Sequence, residues 1–162
     1  LRGHLARANP QWRELEAQTI LAIVHGPHAY LSPTWYARPD HSVPTWNYTV
    51  GHVYGRARLI DDRDALHSLV AELAARYEQA VGSDWRFPDS APGTATELTG
   101  IIGFELEATR IQVKHKLNQH HDDASLSGAV TGLRRQNDSG SQEIATLMAA
   151  VLTKRTGLPS TS

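Results

Sequence analysis

Apolar positions along this chain change period several times, and each change marks an element. Residues 43–60 are rich in Val, Thr, Trp and Tyr, which favour pleated structure. Even positions from Trp46 to Tyr54 carry the larger side chains, and Gly51 and Gly55 mark bulges or close backbone approach. The pattern predicts one long bent strand or a hairpin. Residues 20–24 form a short continuous apolar run of the buried-strand type. Residues 101–117 alternate but switch parity, with Ile102, Phe104, Leu106 and Ala108 in one phase and Ile111, Val113 and Leu117 in the other. A turn or bulge near 109–112 accounts for the switch, because one extra residue sends every later side chain to the opposite face.

Helical spacing appears in two places. Residues 61–80 open with Asp61, Asp62 and Asp64, acids that suit the positive end of a helix dipole. Leu66, Leu69, Val70, Leu73 and Tyr77 then form one stripe, and Gly82 and Ser83 end it. In the last quarter, Leu126, Val130 and Leu133 form a short stripe, followed by a break at 137–140. Ser139 with Gln142 resembles a capping box, and Ile144, Leu147, Met148, Val151 and Leu152 follow before Lys154 and Arg155. Residues 84–96 read as a loop, and Gly157 and Pro159 begin a frayed tail. There is no internal repeat. The sum is an α+β domain with an antiparallel core and peripheral helices.

Composition narrows the class. A chain of 162 residues suits one domain, and zero cysteines excludes a disulfide framework, an iron–sulfur cluster and a thiolate nucleophile. Sixteen basic against 17 acidic side chains argues against a general nucleic-acid binder. No apolar run reaches the length of a membrane helix and no signal peptide is visible, so a cytoplasmic location is expected. The chain starts at Leu1 rather than Met, which leads us to expect an upstream segment.

Candidate chemistry is sparse. His25 and His28 in H-G-P-H, and His120-His121-Asp122-Asp123, offer metal-type ligands without metal-type spacing. Gly26 and Pro27 read as a turn signal, and the second cluster as a polar connector ahead of a helix. No nucleophile elbow, Walker loop or dinucleotide fingerprint occurs, and Ser32 has no such context. Glu105 and Glu107 read as solvated charges on one strand face. Gly3 and His4 lead towards a helix start, with Arg7 and Asn9 nearby, a pattern that can hold a phosphate but also suits an ordinary capped helix. Val43-Pro44-Thr45-Trp46-Asn47-Tyr48 supplies an aromatic plane and amide donors of the kind a flat heteroaromatic ring needs, or else a buried Trp in a barrel wall.

Those same segments carry a family resemblance. Gly3-His4, Ala8-Asn9-Pro10-Gln11-Trp12, the run from Gly26-Pro27-His28 to Thr34-Trp35-Tyr36, and Pro44-Thr45-Trp46-Asn47 resemble the PaiB-like family of FMN-binding negative transcriptional regulators. Gly103-Phe104-Glu105-Leu106 and Lys114-His115-Lys116-Leu117-Asn118-Gln119 fit its later signature, with Asn118 where serine is usual. The resemblance implies an FMN-binding split β-barrel with peripheral helices: barrel strands and an inserted helix over 1–121, helices over 122–156 and a tail over 157–162. In that family further strands precede the G-H segment, so the resemblance leads us to expect that the first barrel strands are missing from this sequence. It also implies a homodimer with flavin at the subunit interface. His4, Arg7 and Asn9 would lie near the cofactor phosphate, Trp46 and Asn47 near the ring, and Lys116 and Gln119 would complete the site.

Two roles follow from the resemblance, flavin-dependent oxidoreductase or transcriptional regulator, and the catalytic residues are left unknown. A related branch resembles haem-dependent piperazate synthases, which form an N–N bond on N-hydroxyornithine. In that alternative haem b replaces FMN and His4 is the axial ligand. Direct DNA contact has no support from charge or motif, since Arg134-Arg135 and Lys154-Arg155 are only small clusters.

Overall fold

A computed structural model describes residues 1–89 and 93–156. Four strands, β1 (Arg2–Ala6), β2 (Ile20–Leu31), β3 (Thr45–Ile60) and β4 (Ile101–Lys116), form one sheet in the order β1-β4-β3-β2. Among the described residues there are four α-helices, α1 (Arg63–Ala80), α2 (Thr94–Thr99), α3 (Asp123–Arg134) and α4 (Ser139–Thr156). The class is α+β, as the periodicity requires. The contacts divide the chain into two compact units, one of Leu1–Ala22 with Val53–Ile111, the other of Ile23–His52 with the chain from Gln112 onward.

In the first unit, β1 pairs antiparallel with β4, setting His4 opposite Gly103 and Leu5 opposite Ile102. Helix α1 starts where the acids predicted: Asp62 is its N-cap, its carboxylate accepting from the Ala65 N–H at 3.0 Å. Leu66 and Leu69 of its stripe are buried with Ile102, Leu106 and Leu98. They lie over Gly103, where an added Cβ would come within 2.9 Å of a Leu66 methyl. The second unit has the larger core. Ala29, Leu31 and Leu117 pack there with Leu126, Val130 and Leu133 of α3 and Ile144 and Met148 of α4, so both predicted helical stripes face inward.

Several expectations need correction. Strand β2 does not stop at Val24 but runs through His25-Gly26-Pro27-His28 to Leu31, so H-G-P-H is strand rather than turn. Strand β2 lies at the sheet edge, the place in a sheet where proline is tolerated. Strand β4 is continuous through 109–112, and no turn explains its parity switch. Ile111 and Val113 instead stand at the surface, each 63% exposed. Residues 43–60 form one strand and not a hairpin. Gly3 and His4 lie in a strand rather than before an α-helix, and only a short 3-10 turn, Pro10–Glu14, follows. The cap of α4 is Asp138, accepting from the Ser141 N–H at 2.8 Å, while Gln142 reaches back to carbonyls of Arg134 and Gln136. The 84–96 loop ends early, because α2 begins at Thr94. The expected tail from Gly157 lies outside the described residues. No helix among the described residues is long and apolar enough to cross a membrane.

Candidate functional site

His4, Arg7 and Asn9 belong to the first unit. His4 is exposed on β1. Arg7 is a structural clamp: its Nε donates to the Thr99 carbonyl at 3.1 Å, and its Nη2 donates to the Ile101 carbonyl at 3.0 Å and to the Asp61 carboxylate. That pairing holds the Asp61 carboxyl below the usual carboxylate range, chiefly through the hydrogen bond from Arg7. The Asn9 side-chain oxygen accepts from the Gln11 N–H and starts the 3-10 turn, and the Trp12 indole donates to the Arg7 carbonyl. The Arg7 guanidinium thus ties the end of β1 to distant backbone carbonyls and to Asp61, and the Asn9 side-chain oxygen serves its own turn.

Trp46, Asn47, Lys116 and Gln119 belong to the second unit. Because successive residues of a strand face opposite ways, Trp46 and Asn47 have opposite fates. Trp46 is 53% exposed, with the His28 ring 5.9 Å and the Tyr30 ring 6.1 Å from it. Asn47 is fully buried, its Nδ2 donating to Met148 Sδ at 3.3 Å and its Oδ1 without a partner. Gln119 closes a local turn, accepting from the Leu117 N–H and donating to the His115 carbonyl. It follows Asn118, which holds φ +57°, is buried, and donates to Tyr36 Oη at 2.6 Å. Asparagine tolerates that left-handed geometry better than most side chains, a physical reason for Asn118 at this position. Lys116 uses one of its three donors on Thr45 Oγ1 at 2.6 Å.

A groove of about 740 Å³ opens in the second unit, with Ile23, Tyr48 and Val113 among its walls and His25, His52 and Lys114 beside them. Its size is that of a small-molecule site. The ammonium groups of Lys114 and Lys116 lie 5.7 and 5.9 Å from the centre of the Tyr48 ring. Gly26 packs closely in the wall: a Cβ there would sit 2.0 Å from Thr49 Oγ1, and the Thr49 side chain would have to turn away. Trp46, Tyr48 and Lys116 therefore form an aromatic, cationic strand surface. Sequence reasoning assigned no role to Tyr48 or Lys114. The available signal was that Tyr48 shares the parity of Trp46, and Lys114 that of Lys116.

The other candidate clusters are occupied structurally. The His121 ring stacks on Tyr36 at 4.8 Å, Asp122 caps α3 through the Ser125 N–H at 2.8 Å, and Asp123 pairs with Arg155. Burial is the main reason the His121 pKa falls below its ordinary value; neighbouring His120 adds to this and Asp122 opposes it. A histidine with a lowered folded-state pKa stabilises the fold above its unfolded value of 6.5, and that contribution is lost as pH falls below it. The urea midpoint of the protein is therefore expected to drop between pH 7 and pH 5, and to drop less in His121→Gln. Glu105 pairs with Arg58 at 2.7 Å, as a face charge would.

A family model described as "Putative FMN-binding domain" matches residues 1–110. The chain belongs to this family. The resemblance read from the G-H and P-T-W-N segments is thereby borne out, and FMN is the cofactor the family assignment carries. "Protease synthase and sporulation protein PAI 2" of Bacillus subtilis is 34% identical over 155 residues, covering 94% of this chain and 73% of that protein. AN0679 of Emericella nidulans is 29% identical over 180 residues, covering 91% and 71%. Among solved structures, the flavocytochrome Anf3 from Azotobacter vinelandii has a similar fold, with a TM-score of 0.50 at 18% identity. That likeness covers 70% of this chain, which spans about half of the flavocytochrome chain (49%).

Proposed function

We propose that the protein is an FMN-binding member of the PaiB-like family that works as a flavin-dependent oxidoreductase, with its flavin held at a homodimer interface. The observation that carries this reading is the strand surface of Trp46, which is half exposed, with Tyr48 and Lys116, which are partly buried. It fits the group on three counts. Aromatic faces suit a flat heteroaromatic ring, the lysine has donors left for an anionic oxygen, and Trp46 is half exposed rather than covered. When bound, FMN supplies the electron or hydride chemistry. The chain's own residues would orient the ring against Trp46, and Lys116 would stabilise negative charge on the cofactor.

The regulatory role receives less support. Of the basic clusters, Arg155 already donates to the Gln119 and His121 carbonyls and pairs with Asp123, so its guanidinium is not presented to a phosphate backbone. The haem alternative depends on a single exposed imidazole, His4, whereas the flavin reading draws on the Trp46 and Tyr48 rings and the Lys116 ammonium. The visible absorbance spectrum of the purified protein separates the two: flavin bands support this reading, and a Soret band overturns it.

A further inference from the structure

We propose that the groove of the second unit is a subsite for a small organic anion with an apolar body, distinct from the flavin itself. The proposal rests on the flavin reading only for the ligand's purpose, as a second reactant beside the ring; its binding is independent of it.

The argument starts from the composition of the walls. Lys114, His25, His28 and His52 line the groove together with Ile23 and Val113, and no carboxylate does. Lys114 forms no ion pair among the described residues and rests over the Tyr48 ring. A cation held over an aromatic face beside exposed aliphatic side chains keeps its charge while having few competing partners. Ile23 and Val113 are 50% and 63% exposed, which is unusual for β-branched side chains that a strand could have turned inward. The combination matches an aryl or alkyl carboxylate, or the corresponding phosphate ester: the anion meets Lys114 and the imidazoles, and the body meets the aliphatic walls.

His25 and His28 also line a second cavity of about 510 Å³, with Asp138 and Glu143 at the start of α4. Asp138 is committed to capping α4, and its carboxyl is held below the usual range chiefly by Ser141, with a smaller contribution from His28. The charged and polar groups around the groove are His25 and His28 on β2, Tyr48 and His52 on β3 and Lys114 on β4, with Asp138 and Glu143 lining the neighbouring cavity.

The test uses benzoate, phenyl phosphate and neutral benzamide as probes, followed by imidazole C–H resonances in NMR and by calorimetry on the flavin-free protein. Benzoate or phenyl phosphate should shift His25, His28 and His52 while leaving His4 and His120 in place. The probe with the lower dissociation constant identifies carboxylate or phosphate ester as the natural group. Lys114→Gln should weaken binding about tenfold, the usual scale for losing one charge-assisted contact, and Lys114→Arg should restore most of it. Benzamide binding as tightly as benzoate overturns the proposal, as do equal shifts at His4 and His120. Displacement of benzoate by equimolar FMN also overturns it, because the groove would then seat the cofactor's own phosphate. Benzoate binding in a protein that takes up no FMN leaves this subsite standing and sinks the flavin reading alone.

Discussion

Gly55→Ala is expected to destabilise the protein by about 3 kcal/mol, near the upper end for overpacking a well-packed site. A Cβ at that position would sit 1.9 Å from the Glu107 carbonyl oxygen and 2.8 Å from its carbon. Both are backbone atoms of β4, so no side-chain rotation relieves the clash and the strand itself must move. Gly51 is the control. It lies on the same strand, but its nearest neighbour would be the Val24 Cβ at 3.7 Å, an ordinary contact. Gly51→Ala should shift the urea midpoint little, since alanine loses less conformational freedom than glycine on folding. Equal midpoints for the two variants would show that β3 and β4 do not approach closely at Gly55.

The second large effect concerns the cofactor. Trp46→Ala should raise the dissociation constant for FMN by about tenfold or more, from loss of an aromatic contact and the apolar area beneath the ring. Lys116→Met should do the same by removing a charged donor while keeping the stem. Neither substitution should move the melting temperature far, because Trp46 is half exposed and Lys116 makes one hydrogen bond. Asn47→Leu is the converse case. Its amide is buried against Met148 with an orphan oxygen, so an apolar replacement of similar volume should alter stability and leave FMN affinity nearly unchanged. Equilibrium titration followed by flavin fluorescence, with thermal melts alongside, reads all three. An Asn47 variant that loses FMN while Trp46→Ala keeps it would reverse the assignment of faces along β3.

Much of this was legible before any coordinates. The helix over 61–80 announced itself through its stripe and its acids, and the long β3 through its aromatic and β-branched residues. Gly55 was visible as a point of close approach, although nothing local distinguished it from Gly51: that difference depends on the Glu107 carbonyl, 52 positions away in a strand whose register no short window reports. The H-G-P-H segment misled because glycine and proline are turn residues in most settings. Whether proline is tolerated in a strand depends on that strand lying at an edge, which is a property of the sheet. Strand β4 misled in the opposite sense: its second apolar phase reads as a flip towards a core, yet Ile111 and Val113 remain at the surface.

The site was legible by family and less so by atom. Motif matching pointed to Arg7, Asn9 and Gln119, residue types that commonly hold cofactors. Their polar atoms are taken by backbone groups, partners that a sequence does not display. Trp46 and Asn47 were drawn together by adjacency, but a strand separates neighbours onto opposite faces. Tyr48 and Lys114 were inside the quoted segments and gained a role only once the groove placed them side by side.

The central claim is that this chain holds FMN rather than haem. The visible spectrum of the purified protein, with the released cofactor identified after denaturation, tests it most directly. The account predicts flavin bands, or their appearance on adding FMN to cofactor-free protein with saturation at one flavin per chain. A Soret band that disappears in His4→Ala would contradict it, and so would a protein that neither carries flavin nor takes it up.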